Sequence, residues 1–156
     1  MNPAEELRYL ILGAQREGNR IFADALRPHG LTPSQAEALQ VIAERGPLAL
    51  VDLGRFLVCE SGSPSRLVDG LVRAGLVERV DDPADRRRVT LTLTTAGRTA
   101  AAHVTAAEAQ LHDLLDAVIP PRKLTATIDV LRTLVAGRPA GEALELRRTT
   151  TQKEHR

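Results

Sequence analysis

The chain has 156 residues, a length that favours one domain with helical extensions, and its 43% hydrophobic and 26% charged residues are an ordinary globular balance. Aromatic residues are only 2%, so the core must be aliphatic, and the abundance of Ala and Leu favours helix. A formal net charge of +1 gives no basic field, so any phosphate affinity must come from local clustering, and no apolar run approaches the roughly 20 residues that span a bilayer.

Asn2-Pro3 suits an N-cap followed by a first helical position, and Leu7, Leu10, Ile11, Ala14, Ile21 and Ala25 then recur at helical spacing up to Pro28. Thr32-Pro33-Ser34-Gln35 is a capping box. It opens a second helix with Ala36, Leu39, Ile42 and Ala43 on one face, stopped at Gly46-Pro47. Residues 50–58, LVDLGRFLV, predict a short third helix with no polar cap before it. A fourth helix is expected from about Gly62 to Ala74, with Gly75 as its C′ residue.

The stretch RVDDPADRRRVTLTL, residues 79–93, changes character halfway. From Val89 to Thr94 apolar and polar residues alternate strictly, the mark of a half-buried strand, and Asp82-Pro83 is turn chemistry. Leu76, Val77 and Val80 suit a first strand. The prediction is a β-hairpin whose tip carries Arg86, Arg87 and Arg88 among Asp81, Asp82 and Asp85. Thr94 or Thr95 can then cap a long helix from Ala96 to Ile119, ended by Pro120-Pro121. Within it Val104, Ala107, Leu111, Leu114 and Val118 keep a seven-residue repeat. A last helix is expected over 122–135, followed by a polar, proline-containing tail. The fold class is thus mainly α with a small β-wing. A winged helix-turn-helix occupies residues 32–95, helices at 3–27 and 96–137 flank it, and residues 138–156 form a flexible tail.

The fourth helix divides cleanly. With about 100° per residue from Ser63, Pro64, Leu67, Val68, Leu71, Val72 and Ala74 fall on one half. Ser63, Ser65, Arg66, Asp69, Gly70 and Arg73 fill the other. A solvated face is the bland reading of that second half. Two serines, a glycine and two arginines would, however, let a bulky partner approach, and mid-helix Gly70 costs up to about 1 kcal/mol, which hints at contact. A helix of this width enters the major groove of DNA, where arginine pairs bidentately with guanine and serine meets phosphate or base. An arginine-rich hairpin tip would lie over the adjacent minor groove, negative where narrow. The aspartates would repel phosphate if unpaired, so they are expected to orient the arginines.

Residues 65–97, SRLVDGLVRAGLVERVDDPADRRRVTLTLTTAG, resemble the multiple antibiotic resistance regulator (MarR) family of winged helix-turn-helix proteins. R-L-V-D-x-L, G-L-V-E-R, D-P-x-D-R-R and L-T-x-x-G follow in the family's order and spacing, and the flanking helices extend the likeness over about residues 4–137. The resemblance implies a cytoplasmic prokaryotic transcription regulator, usually a repressor. It also implies a homodimer joined through its first and last helices, binding a pseudo-palindromic double-stranded DNA operator, often under a small-molecule effector or oxidant. Any effector pocket is expected near the first, second and fifth helices. Residue by residue, Ser63, Ser65 and Arg66 fall where the recognition helix meets the major groove, with Ser61, Pro64 and Arg73 beside them. Arg87 matches the wing arginine that reaches the minor groove, and Arg86 and Arg88 are assigned to phosphates. Asp85 is the acid of the D-x-R signature, and Asp69 matches the helix acid that holds the wing arginine. Two departures stand out. Glu60-Ser61 replaces the usual Ser or Thr cap, so Ser61 is expected to cap the recognition helix, and Ala49-Leu50 leave the third helix uncapped.

Glu5 and Glu6 replace the basic-then-apolar pattern of a leader, so a cytoplasmic location is expected. A single Cys59 rules out an internal disulfide framework and reads as a small core hydrophobe rather than a redox sensor. His103 and His112 project about 180° apart on one helix, and His29 and His155 lie in a linker and the tail, so no metal or other cofactor is expected. G-x-S-x-G, phosphate-cradling glycine loops, C-x-x-C and H-E-x-x-H are all missing, which argues against an enzyme. The competing class is a winged-helix module that binds protein rather than DNA.

Overall fold

The computed structural model describes residues 1–58, 63–81 and 89–154. In chain order these form α1 (Pro3–Leu26), a 3₁₀ turn (Arg27–His29), α2 (Pro33–Arg45), β1 (Leu48–Ala49), α3 (Leu50–Phe56), α4 (Pro64–Arg73), β2 (Val77–Asp81), β3 (Val89–Leu93), α5 (Thr95–Val118), α6 (Pro121–Val135) and α7 (Pro139–Glu154). The fold is mainly α with a small antiparallel sheet, as expected.

The caps anticipated from sequence set the first helix starts. The Asn2 carboxamide oxygen accepts the Glu5 amide at 2.9 Å. Thr32 and Gln35 close a reciprocal capping box, with the Gln35 amide donating to Thr32 Oγ1 at 3.3 Å and the Thr32 amide to Gln35 Oε1 at 3.0 Å. Each removes an orphan amide, an effect of about 1 kcal/mol. Ala49 precedes α3 with no side-chain cap, again as expected.

Helix α4, the expected recognition helix, starts later than predicted. Its N-cap is Ser63, extended at φ −123°, ψ 120°, and Pro64 is the first helical residue. Proline disfavours the α region for the residue before it, so the helix does not run through Ser63 from Gly62. Ser61, the expected cap, lies outside the described residues. At the other end Gly75 takes φ 69° and closes the helix as predicted.

β1, unanticipated because two residues carry no periodicity, pairs with β3 (Leu48 opposite Leu91), so the sheet order is β1-β3-β2. β2 and β3 form the hairpin, in register from Val77 opposite Leu93 to Asp81 opposite Val89. Leu91, Leu93 and Val77 turn inward and join Leu39, Ile42, Leu53, Val68, Leu71 and Val104 in a single aliphatic core. One close approach locks the wing base to α5. A Cβ on Gly97 would sit 1.9 Å from Leu76 O, so the glycine of L-T-x-x-G lets helix and strand meet there.

α5 belongs to two environments. Val104 and Ala107 are buried against α2, where the buried Gln40 donates to Thr105 Oγ1 at 2.9 Å and Glu108 Oε2 at 3.1 Å. Further along the same repeat Leu114 and Val118 are 45% and 71% exposed. α6 has no buried residue at all.

Residues 139–154 are not a flexible tail. They form α7, which packs on α3 and buries Ala143. The inward stripe is narrow, Ala143, Leu146 and an ion-paired Arg147, so a mostly polar composition still suffices for a docked helix.

Candidate nucleic-acid interface

α4 is anchored by Val68 and Leu71, both fully buried, while Leu67 and Val72 are half-buried on the flanks of the same face. This matches the half predicted as core. The opposite side leaves Ser65, Arg66 and Arg73 exposed and Ser63, Asp69 and Gly70 half-buried, while on the core half Pro64 is half-buried and Ala74, at the helix end, is exposed. The first intrahelical bond runs from Leu67 N to Ser63 O at 3.2 Å, so the Ser65 and Arg66 amides lie ahead of the helical ladder. Proline at the first position has no N–H to place there. Those leading amides, the helix dipole and the Arg66 guanidinium all favour an anion at this end.

Asp69, whose implied partner Arg87 lies outside the described residues, is held by β2 of the wing through Arg79. Its Oδ1 accepts from Arg79 Nη2 at 2.6 Å. Alternation along β2 puts Val77 and Arg79 on one side, the side that meets α4, which is the signal that could have singled out Arg79 from the sequence. With the side chains 41% and 46% exposed, the pair adds little stability, at most about 1 kcal/mol. Its effect is geometric, fixing the hairpin's approach to α4. Because Asp69 is neutralised by Arg79, Arg66 and Arg73 set the charge of the exposed α4 surface among the described residues.

Of the other residues singled out, Ser61, Asp85, Arg86, Arg87 and Arg88 lie outside the described residues, as does Cys59. Gly70, expected to mark partner contact, instead faces α2: a Cβ there would lie 3.7 Å from Gln35 Nε2, an ordinary contact. His29 is not isolated in its linker. Its ring stacks on His103 with centroids 4.0 Å apart, tying the 3₁₀ turn to α5. Among the described residues no three His, Cys, Asp or Glu side chains come together as a metal site, and no helix is long and apolar enough to cross a membrane.

Near the expected effector position, a shallow cleft of about 360 Å³ lies between α2, β3 and α5, beside Ile42, Pro47, Leu93 and Arg98. Larger clefts, of about 590 Å³ between α3 and α7 and about 800 Å³ between α6 and α7, lie elsewhere.

The winged helix DNA-binding domain family matches residues 31–97, the span from Leu31 through the hairpin to Gly97. An HTH-type transcriptional regulator of Bacillus subtilis, YcgE, is 39% identical over 69 residues, 44% of this chain and 45% of its own length. The multiple antibiotic resistance protein MarR of Escherichia coli is 33% identical over 88 residues, 56% of this chain and 61% of its own. The matched stretch therefore spans about half the length of these curated relatives. In three dimensions the likeness reaches further. The crystal structure of a mutant of E. coli MarR complexed with operator DNA superposes with a TM-score of 0.74 at 27% identity, over 83% of this chain and 94% of that one. Both the winged-helix domain and its helical surround thus have the architecture of MarR.

Proposed function

We propose that this chain is a winged helix-turn-helix protein of the MarR family and a sequence-specific DNA-binding transcriptional regulator that acts as a homodimer. The observation that carries the proposal is the surface made by α4 and β2. Arg66, Ser65 and Arg73 stand exposed on a helix whose other face is locked in the core, and the wing is tied to that helix through Arg79 and Asp69. In this reading helix and hairpin present one surface to a duplex.

In this reading α4 enters the major groove by its N-terminal end. Arg66 addresses a base edge, the geometry in which a bidentate arginine–guanine pair discriminates by about 1–3 kcal/mol. Ser63 and Ser65, with the leading amides of the helix, meet phosphates. Pro64 holds the helix start, and Ser61, two residues before the N-cap, is assigned to the same approach. Arg73, two helical turns beyond Arg66, reaches the flanking backbone. Arg87 inserts into the adjacent minor groove, Arg86 and Arg88 contact phosphates, and Asp85 orients them. Since the net charge is only +1, this local arrangement must supply the counterion-releasing contacts.

The dimer follows from uncovered apolar surface. Leu10 on α1 is 62% exposed, and Leu7, Ile11 and Leu12 beside it are exposed too, as are Leu114 and Val118 at the end of α5 and Ile128, Leu131 and Leu134 on α6. Apolar stripes on all three flanking helices suit a second copy, which would cover residues 3–27 and the later part of 96–137. Two-fold symmetry then sets the α4 helices about 34 Å apart, one turn of DNA. Binding is modulated by a small-molecule effector, as the family resemblance implies, and the protein works in the cytoplasm without catalysis or cofactor.

The test is binding of the purified chain to the intergenic DNA beside its own gene, against random duplex of equal length. Tight, salt-sensitive, sequence-selective binding that Arg66→Ala and Arg87→Ala each weaken, with the fold intact, is the expected result. Equal affinity for both duplexes, or no binding alongside capture of a protein partner, favours the interaction-module reading instead.

A further inference from the structure

The α3 end of the helix-turn-helix elbow is satisfied from outside it. α3 ends at Phe56, whose carbonyl is an orphan acceptor of the last turn. Arg147 of α7 donates to it from Nε at 3.0 Å. Two residues on, the Val58 amide leaves the helix with no ladder partner and donates to Glu37 Oε1 of α2 at 2.8 Å. The same Glu37 oxygen lies 3.0 Å from Arg147 Nη2, and the Glu37 side chain is only 13% exposed. Arg45, in the last turn of α2, stacks over the Phe56 ring at 4.6 Å and donates to the Arg147 carbonyl at 3.2 Å. Three elements, α2, α3 and α7, therefore meet at one ion pair, and that pair holds the last described residues before the N-cap of α4.

We infer that Glu37 and Arg147 are positioning residues for DNA reading. Through them α7 acts as an intramolecular strap that sets how the elbow presents α4. Charge-assisted hydrogen bonds in a half-buried setting are short and directional, which suits a part that must fix an angle. The exposed ion pairs of the chain, such as Glu145 with Arg148, have no such reach and only decorate one helix. Because α7 follows directly on α6, a shift of the flanking helices is carried to the elbow along covalent structure. The inference rests on the DNA-binding reading above for its consequence, and on the geometry alone for the coupling.

The experiment uses the full chain and the variants Arg147→Ala, Arg147→Lys, Glu37→Gln and Glu37→Gln/Arg147→Ala. Two readouts are followed: exchange of the Val58 amide by NMR, and affinity for operator against random duplex. Removal of Arg147 is expected to speed Val58 exchange and to weaken operator binding about tenfold, the equivalent of about 1.4 kcal/mol, while random-duplex affinity holds. The double variant should be no worse than the poorer single one, since the pair acts as a unit. Lysine, which keeps charge but cannot serve both Glu37 and Phe56, should fall between, and its folded spectrum guards against a trivial loss of structure. Unchanged Val58 exchange in Arg147→Ala overturns the coupling. Faster exchange with unaltered operator affinity overturns the positioning role. If the wild-type chain itself does not distinguish the two duplexes, the DNA-binding reading has failed, and the exchange result still decides the strap.

Discussion

Gly97 offers the sharpest quantitative test of how the wing is mounted. A methyl group at this position would sit 1.9 Å from Leu76 O and 2.9 Å from Leu76 C, both backbone atoms that cannot swing aside like a side-chain tip. The carbonyl oxygen is already committed, accepting the Thr94 amide at 3.1 Å. Relieving the overlap requires α5 and the start of β2 to part by more than an ångström. Overpacking of this kind costs about 1–3 kcal/mol, and loss of a backbone hydrogen bond adds about 1 kcal/mol. Against this, alanine gains about 0.5–1 kcal/mol over glycine inside a helix. Gly97→Ala should therefore destabilise by roughly 1–3 kcal/mol, which for a chain of this size lowers Tm by about 2–4 °C for each kcal/mol. The assay is thermal unfolding at matched protomer concentration, because Tm of a dimer depends on it. Gly70→Ala is the internal control. Its Cβ would meet only Gln35 Nε2 at 3.7 Å, so it should hold or raise Tm and leave DNA affinity within about twofold. A Gly97→Ala protein at least as stable as wild type would refute the steric account.

Other outcomes follow from the same geometry. Thr94→Ala removes the cap that accepts the Gly97 amide at 3.0 Å and the hydroxyl bond to Gly75 O at 2.7 Å, and should cost about 1–2 kcal/mol in a denaturant titration. Asp69→Ala should change stability by less than about 1 kcal/mol, since its ion pair is half-exposed, yet weaken operator binding in a shift assay by freeing Arg79 and the hairpin. Arg66→Ala should relax sequence preference at one operator position, measurable with a panel of single-base variants, whereas Arg73→Ala should weaken all duplexes alike and flatten the salt dependence by about one phosphate. Leu10→Glu or Val118→Glu, at positions 62% and 71% exposed in the single chain, should shift sedimentation towards monomer without unfolding the winged domain.

The parts of the molecule legible in the sequence are those where one short-range rule acts without competition. The amphipathic split of α4 needs only helical periodicity, and its predicted buried half is the half that enters the core. The hairpin needs only the alternation of Val89 to Thr94 and the turn residues before it, and Thr32 to Gln35 announce a cap that forms as expected. α4 starts two residues later than its pattern suggests because Pro64 disfavours the α region at Ser63. Arg79 is hard to single out because β2 carries charges at three of its five positions, which hides the alternation that aims it at Asp69. These errors are local and each has a local cause.

α7 is hidden in the sequence for a different reason, and its case bears on the function. Periodicity detects a helix by its apolar stripe, but the stripe α7 turns inward is a small alanine, one leucine and an arginine whose charge is answered by Glu37 on a helix about a hundred residues earlier. No local signal encodes such a partner; only the fold brings it into reach. The same holds for the His29–His103 stack, which ties the 3₁₀ turn to α5, and for Gln40 with Thr105 and Glu108, which tie α2 to α5. Local pattern thus specifies the surface proposed to read DNA, whereas long-range polar pairs join the elements around it. Removing a brace should alter the choice among duplexes while the chain stays folded. Mutating α4 or the wing itself should lower affinity by removing the groups that touch the duplex, and comparing the two classes of variant on one operator separates bracing from direct recognition.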